Sequence, residues 1–247
     1  MVDPNAVTVI SPKPRAPSPV KNAVLITISL AALTFAAWYA YQQLTPEVYL
    51  FEIADIPRET NQDNITAEQL LDMPLVNEQG EPVALRDRLG KEHLVIVFTR
   101  GSLATVAAKS KGPQIPELPN VCPYCSSQAT GIASRMAQFT ENGAAVLLVF
   151  PVSQLAENKD AATLQRAVAN PDPQSPPPFP ILLDLKLQAV EQLGIRDHLA
   201  RPASFIIDKA GNLRFAYVAR QGSADRPSGG ELLRHIEQIE AEFAKPK

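Results

Sequence analysis

The stretch RPASFIIDKAGNLRFAYV, residues 201–218, contains two apolar runs separated by a turn. The runs SFIID (204–208) and LRFAYV (213–218) are rich in β-branched and aromatic residues, which favour strands. Between them, residues 209–212, KAGN, have the composition of a turn. The stretch therefore predicts two short strands joined by a tight connection.

Three further strands are predicted upstream of this pair. HLVIVF (93–98) and AAVLLVF (144–150) are continuous apolar runs of the buried-strand type, and FPILL (179–183) is a shorter candidate. Before them, residues 73–90 alternate apolar and polar side chains around Asn77–Gly80, which predicts a hairpin turn. The chain thus offers a sheet of five strands.

Helical periodicity lies between these strands. After Cys125, apolar residues recur at spacings of three, four and three, and Asn142–Gly143 follows as a stop signal. LKLQAVEQLG (185–194) repeats the pattern, and GGELLRHIEQIEAEFA (229–244) predicts a closing helix. The order β, α, β, α, β, β, α predicts an α/β sandwich with a mixed sheet. The apolar stripe of the first helix consists of Ala129, Ile132, Met136 and Phe139.

Both cysteines of the 247-residue chain lie in PNVCPYCSSQ, residues 119–128. Proline suits the first turn of a helix, so Pro123 places Cys122 at the helix N-cap. The positive end of the helix dipole would stabilise a Cys122 thiolate there, and Cys125 would face inward one turn later. Arg100, at the end of the strand 93–98, either adds to this stabilisation or is only a solvated charge.

A structural staple and a metal site are the alternatives for this pair. A disulfide that closes four residues would contribute only about 2 kcal/mol through chain entropy. A structural zinc site needs four ligands, and His93, His198 and His235 are not at ligand spacing from the cysteines. Redox exchange is therefore the preferred interpretation, and no metal or cofactor is expected.

The strand ending in VFTRGS, the CPYC that opens a helix and the stretch 201–218 together resemble the thioredoxin-like fold. Within it they resemble the alkyl hydroperoxide reductase/thiol-specific antioxidant (peroxiredoxin-like) superfamily, over residues 64–244. The resemblance implies a three-layer sandwich with a mixed β-sheet, a cis-proline facing the cysteines, an exposed attacking Cys122 and a resolving Cys125. The implied catalytic residues are Cys122, Cys125 and Pro202, and the supporting candidates are Pro123, Tyr124, Arg100 and Arg201.

The chain departs from that superfamily next to the cysteines. The Pro-x-x-x-Thr/Ser-x-x-Cys loop of peroxiredoxins fails at Ile115 and Pro119, and Val121 replaces the tryptophan usual before a thioredoxin CxxC. An insert, residues 103–121, separates FTRGS from Cys122; it either caps the thiols, selects a partner or is a surface excursion. Membrane-anchored copper-delivery proteins are a weaker likeness, because Lys209 follows FIID without a histidine.

A charge-free run at residues 23–44, AVLITISLAALTFAAWYAYQQL, is long enough to span a bilayer. Basic residues precede it and acidic residues follow, which predicts a cytoplasmic N-terminus and an exported C-terminal domain, periplasmic or otherwise extracytoplasmic. A cleaved signal peptide and a buried hairpin helix are the alternatives. The expected organisation is a disordered cytoplasmic tail (1–22), a single transmembrane anchor (23–44), a linker (45–64) and a thioredoxin-like domain (65–247).

Composition excludes one class of partner. A net charge of −3 without a dense Lys/Arg block gives no footprint for nucleic acid. A proline-rich run at 170–180 predicts an extended surface loop.

The function predicted is a membrane-anchored thiol-disulfide oxidoreductase. It would act on protein thiols or disulfides outside the cytoplasm, with an unidentified redox donor or acceptor. A peroxiredoxin-like thiol peroxidase, in which Cys122 passes through a sulfenic acid, is the second hypothesis. The third is a redox-inactive interaction module of a membrane complex.

Overall fold

The structure, a computed structural model, describes residues 30, 32–36, 53–102, 121–157, 161 and 178–244. The chain divides into two units, residues 1–46 and 47–247. In the first unit, residues 30 and 32–36 are helical and exposed. The rest of the predicted anchor, the tail 1–22, the insert up to residue 120 and most of the proline-rich run lie outside the described residues. Within the described ranges, no helix has both the length and the apolar character needed to cross a membrane.

The described part of the second unit alternates strands and helices, with a short 3₁₀ turn before the first strand and another after the second. In chain order, the elements are α1 (Ala67–Leu71), the 3₁₀ turn Leu85–Arg88, β1 (His93–Phe98), α2 (Pro123–Ala133), α3 (Met136–Glu141), β2 (Ala144–Val152), the 3₁₀ turn Leu155–Glu157, β3 (Ile181–Leu185), α4 (Gln188–Gln192), β4 (Ala203–Ile207), β5 (Leu213–Val218) and α5 (Gly229–Phe243).

The five strands form one mixed sheet in the order β3-β2-β1-β4-β5. Strand β1 is parallel to β2, and β2 is parallel to β3, whereas β4 is antiparallel to both β1 and β5. All five predicted strands are therefore confirmed. Strand β1 lies at the centre of the sheet, so the residues that follow Phe98 leave the sheet at the C-terminal end of its central strand.

Helices cover both faces of the sheet, because strand side chains alternate between them. Leu94, Ile96 and Phe98 of β1 enter one core cluster with α1 and α4. Val95 and Val97 enter the other with α2, α3 and α5. The result is an α/β sandwich of three layers with a mixed sheet, as expected for a thioredoxin-like fold.

The helical predictions are confirmed with corrections to their bounds. The stripe after Cys125 predicts one continuous helix, but the chain breaks at Ser134 and Arg135 into α2 and α3. Gly143 ends this region with a positive φ of 61°, as its stop signal implies. Helix α4 covers only part of 185–194, whereas α5 matches its predicted range closely.

The hairpin predicted at residues 73–90 is reduced to a turn. Val76 pairs with Pro82 in a single antiparallel bridge, and Gly80 adopts a φ of 84°. The chain then enters the 3₁₀ turn instead of a second strand.

Residues 53–64, expected as part of a linker, contact the folded domain. The backbone amide of Asn61 donates to the Ala216 carbonyl at 2.9 Å, and its side chain bonds both backbone groups of Val218. Arg58 pairs with Glu231 at 2.7 Å. This segment therefore lies along the outer edge of β5 and the start of α5.

Candidate active site

The end of β1 shapes the backbone on one side of the cysteines. Thr99 is buried, and its hydroxyl donates to the Val149 carbonyl at 3.2 Å and accepts from the Gly101 amide at 3.2 Å. Gly101 has a φ of 85°, and a Cβ there would lie 2.3 Å from the Pro151 carbonyl oxygen. Only glycine fits this close approach. The chain consequently turns so that the Arg100 amide points at the cysteine pair.

Cys122 and Cys125 lie at the N-terminus of α2 as predicted. Cys122 is the N-cap in an extended conformation, and Pro123 occupies the first turn. The Cys125 amide donates to the Cys122 carbonyl at 2.9 Å, which brings the two side chains onto one turn. Both cysteines are free thiols.

Both thiols are more buried than the sequence suggests. Cys122 is 4% exposed and Cys125 is 1% exposed, so the expectation of an exposed Cys122 is not met. Cys122 remains the one nearer the surface, because it precedes the helix instead of lying within it.

The negative charge of the pair belongs on Cys125, whereas the sequence predicts a Cys122 thiolate. Burial by itself raises the pKa of Cys125, but the hydrogen bond from Cys122, the charge of Arg226 and the Arg100 amide lower it to about 5. The Arg100 amide lies 3.3 Å from the Cys125 sulfur. The hydrogen bond to Cys125 and burial raise the pKa of Cys122 well above its usual range. Cys122 thus keeps its proton and donates a hydrogen bond to the Cys125 sulfur. This distribution of charge could not be inferred from the helix dipole alone.

Arg226 is the residue that sequence reasoning missed. It lies in the loop before α5, is fully buried, and donates through Nε to the Ser223 carbonyl at 2.7 Å. Its Nη1 donates to Gln128 Oε1 at 3.3 Å, and Gln128 lies on α2 three residues after Cys125. Its Nη2 has no hydrogen-bond partner among the residues that the structure describes. A guanidinium in this position lowers the pKa of both cysteines electrostatically.

Gln128 holds this arginine in place. Its Nε2 donates to the Pro227 carbonyl at 2.8 Å and to Ser204 Oγ at 3.4 Å. One amide therefore ties α2 to β4 and to the loop of Arg226. Next to Cys125, the Ser126 hydroxyl is a further buried polar atom that finds no hydrogen-bond partner in the described ranges.

The remaining predicted site residues are placed unevenly. Pro202 is buried just before β4. Because Ala203 pairs with Phe98, Pro202 lies beside the C-terminal end of β1. Tyr124 is half-buried in the first turn of α2. Arg201 instead donates to the Gly194 carbonyl at 3.2 Å, beyond the end of α4. In the described contacts, the Arg100 backbone amide bonds Cys125, whereas the Arg201 side chain bonds Gly194.

Comparison with known families adds one finding. Residues 116–216 match the AhpC/TSA family model. The chain resembles the AhpC/TSA family over this stretch. The AhpC/TSA-like stretch includes both cysteines and Pro202, and this match supports the superfamily and a thiol-dependent redox chemistry in general. The matched stretch does not include Arg100, which precedes it in the chain, or Arg226, which follows it.

No curated protein matches the chain in sequence. Among solved structures, AhpC of Enterococcus faecalis is 18% identical, with 76% of this chain and 97% of that chain covered and a TM-score of 0.49. Peroxiredoxin Q of Xanthomonas campestris is 16% identical, with 73% and 99% covered and a TM-score of 0.48. MTB DsbF is 17% identical, with 69% and 97% covered and a TM-score of 0.44. Values this low do not assign a substrate or a reaction.

Metal ligands do not gather in the parts of the chain that the structure describes. There, no group of three or more His, Cys, Asp or Glu side chains is placed to hold an ion. His93, at the start of β1, is bound to Glu240 at 2.7 Å.

Proposed function

We propose that this protein is a membrane-anchored thiol-disulfide oxidoreductase that uses Cys122 and Cys125 on protein thiols or disulfides outside the cytoplasm. The observation that carries the proposal is the Cys125 sulfur. It accepts hydrogen bonds from the Arg100 amide and from Cys122, beside a buried guanidinium, and its pKa is lowered to about 5. A thiolate so stabilised is both a nucleophile and a good leaving group.

The two cysteines have different roles in this exchange. Cys122, at the N-cap and nearer the surface, forms the mixed disulfide with the substrate. Cys125, one turn deeper, leaves when a substrate thiolate attacks Cys122, and it can close on Cys122 again to release the substrate. Pro202 lies beside the C-terminal end of β1. We propose that it faces the cysteine pair, as the family resemblance implies, and lines the path of the substrate chain.

The location of this chemistry follows from the charge-free run at 23–44 and the charges on either side of it. A domain exported in this way meets an oxidising compartment, in which disulfides persist. A CxxC pair can cycle there against exported proteins.

Trapping of a mixed disulfide tests the proposal. In cells that produce the full chain, Cys125→Ala removes the resolving thiol and also the hydrogen bond that raises the pKa of Cys122. We therefore expect the Cys122 thiolate to attack disulfides of other exported proteins and the adducts to accumulate. The adducts should run as high-mass species on non-reducing gels, collapse with dithiothreitol and stay in the membrane fraction. In intact cells, a membrane-impermeant maleimide should reach Cys122.

The matched controls are Cys122→Ala and the double variant, neither of which should trap a partner. If Cys125→Ala traps nothing and both cysteines can become Ser without loss of phenotype, the interaction-module hypothesis replaces the redox one.

A thiol peroxidase is the second candidate, favoured by the AhpC/TSA match. In that reaction a Cys122 thiolate would become a sulfenic acid and Cys125 would condense with it. The proton held by Cys122 argues against it as the attacking thiolate. Formation of the disulfide within seconds of adding stoichiometric hydrogen peroxide to the reduced protein would support the peroxidase and overturn our preference.

A further inference from the structure

Arg226 is a buried cation for which the described residues provide no carboxylate partner. Charged side chains are almost never fully buried unless they are paired. None of the ion pairs in the described residues includes Arg226. Within the described part of the chain, the guanidinium donates to the Ser223 carbonyl and the Gln128 amide oxygen, and its Nη2 makes no hydrogen bond. Its charge therefore requires an anion from another source.

The two carboxylates that flank Arg226 in the chain, Asp225 and Glu231, have other partners. Asp225 accepts from the Tyr217 hydroxyl at 2.5 Å and from two backbone amides. Glu231 accepts from Arg58 at 2.7 Å. Among the described residues, the cysteine pair lies within electrostatic reach of Arg226, which lowers the pKa of both thiols.

This arrangement distinguishes the two redox states of the pair. In the dithiol state, a Cys125 thiolate neutralises the guanidinium. In the disulfide state, neither sulfur carries a charge, and Arg226 is buried without compensation. A buried charge that has lost its partner is strongly destabilising, so the disulfide is disfavoured relative to the dithiol. A disulfide whose reduced form is stabilised is a strong oxidant.

We propose that Arg226 makes the Cys122–Cys125 disulfide an electron acceptor, so that the substrates of this protein are reduced protein dithiols, which it oxidises. This inference rests on the proposed disulfide exchange and adds its direction. Arg226 is a positioning residue, which acts through the cysteine pair and not on the substrate.

The reaction balances as follows in atoms and electrons. A substrate thiol loses its proton to solvent, and its thiolate attacks the Cys122 sulfur of the disulfide. The Cys122–Cys125 bond breaks, and Cys125 leaves as a thiolate. A second substrate thiol then loses its proton and attacks the substrate sulfur of the mixed disulfide, and Cys122 leaves and takes up that proton. The substrate becomes a disulfide, while the pair gains two electrons and one proton.

The direction of electron transfer between this protein and its substrates is tested with the full chain in detergent micelles. The pre-oxidised protein is mixed with stoichiometric reduced thioredoxin as a model dithiol protein, quenched in acid and scored by maleimide gel shift. We expect nearly all of the disulfide to pass to thioredoxin and the reverse mixture to show no net transfer. Transfer in the opposite direction would overturn the inference while leaving the proposed function intact. A complete lack of exchange in both mixtures would remove the proposed function, and the inference with it.

The role of Arg226 is tested by equilibrium with glutathione redox buffers. Arg226→Met removes the charge and should stabilise the disulfide at least about tenfold, which equals a fall of about 30 mV in reduction potential. Arg226→Lys keeps the charge and should stay within about threefold of the unmodified protein. Arg88→Met, on a half-exposed ion pair with Glu92, is the matched control and should leave the constant unchanged.

An unchanged constant in a folded Arg226→Met protein, checked by circular dichroism, would overturn the inference. So would a tenfold loss in Arg226→Lys, since this variant retains the cation. The thioredoxin experiment uses the unmodified chain and decides the direction even when a variant fails to fold.

Discussion

Cys125 carries the negative charge of the pair because two hydrogen-bond donors and a buried guanidinium stabilise a thiolate on its sulfur. The Arg100 amide reaches it at 3.3 Å, Cys122 donates its thiol hydrogen, and Arg226 lies beside it. A leaving group of low pKa departs faster in disulfide exchange. The geometry therefore favours attack on Cys122 with departure of Cys125.

The pH dependence of the reduction potential follows from this charge. Because the pKa of Cys125 is lowered to about 5, the reduced pair holds one proton above that pH and two below it. Reduction then takes up one proton for two electrons between pH 6 and 8, so the potential should fall by about 30 mV per pH unit. Two ordinary thiols would take up two protons and give about 60 mV per unit.

The measurement is the glutathione equilibrium of the full chain at several pH values in that range. A slope near 60 mV per unit would show that neither thiol is ionised and would contradict the assigned charge. The absorbance of the thiolate at 240 nm provides an independent titration.

Helices α2 and α5 are in contact through backbone, and this contact sets the position of the Arg226 loop. A Cβ on Gly229, the first residue of α5, would lie 2.5 Å from the Gly131 carbonyl oxygen on α2. The absence of a side chain lets the N-terminus of α5 approach the helix that carries both cysteines. The loop that ends in Ser228 is thereby held against Gln128.

Gly229→Ala should therefore destabilise the protein. The backbone atoms of α2 cannot move aside as a flexible side chain could, so we expect a loss of about 1–3 kcal/mol in the free energy of unfolding. Urea unfolding of the full chain provides the measurement. Gly131→Ala is the matched control, because a Cβ there meets nothing within 4 Å and alanine favours a helix over glycine by about 0.5–1 kcal/mol. Equal stability of the two variants would contradict this account of the helix contact.

Across the second unit, residues 53–64 contact the last strand and the last helix that the structure describes. Asn61 bonds the outer edge of β5, and Asp55 accepts from Arg234 at 2.9 Å and from Ser228. These bonds hold the pKa of Asp55 down at about 2. The pair Arg58–Glu231 is the most buried of these contacts, with side chains 10% and 2% exposed. In the proposed orientation, this segment links the anchor to the redox domain.

Loss of Arg58 should be costly because it leaves the Glu231 carboxylate buried and unpaired. We expect Arg58→Met to lower the free energy of unfolding by about 3–5 kcal/mol. The double variant Arg58→Met/Glu231→Gln removes the stranded charge and should recover at least half of that loss. Urea unfolding of both single variants and the double variant completes the cycle. Additive effects of the two substitutions would contradict a direct pairing.

Much of the fold could be predicted because it depends on local patterns. The five apolar runs became the five strands, and the closing helix predicted at 229–244 is α5, which buries Leu232, Leu233, Ile236 and Ile239. The ends of helices were harder to predict. Ser134 and Arg135 interrupt the helix, although the apolar periodicity continues through them. Periodicity reports which face is buried, and it does not report where neighbouring elements force a helix to end.

The sequence by itself determined the class of fold and the place of the cysteines, because strand and helix periods and a proline after Cys122 act over a few residues. Only the tertiary structure decided which sulfur is charged. Arg226 lies far along the chain from Cys125, in a loop whose composition is typical of an exposed turn. Its burial and its approach to the pair arise when α5 packs on α2. Electrostatic effects depend on distance in space and on burial, and neither quantity can be read from the order of residues.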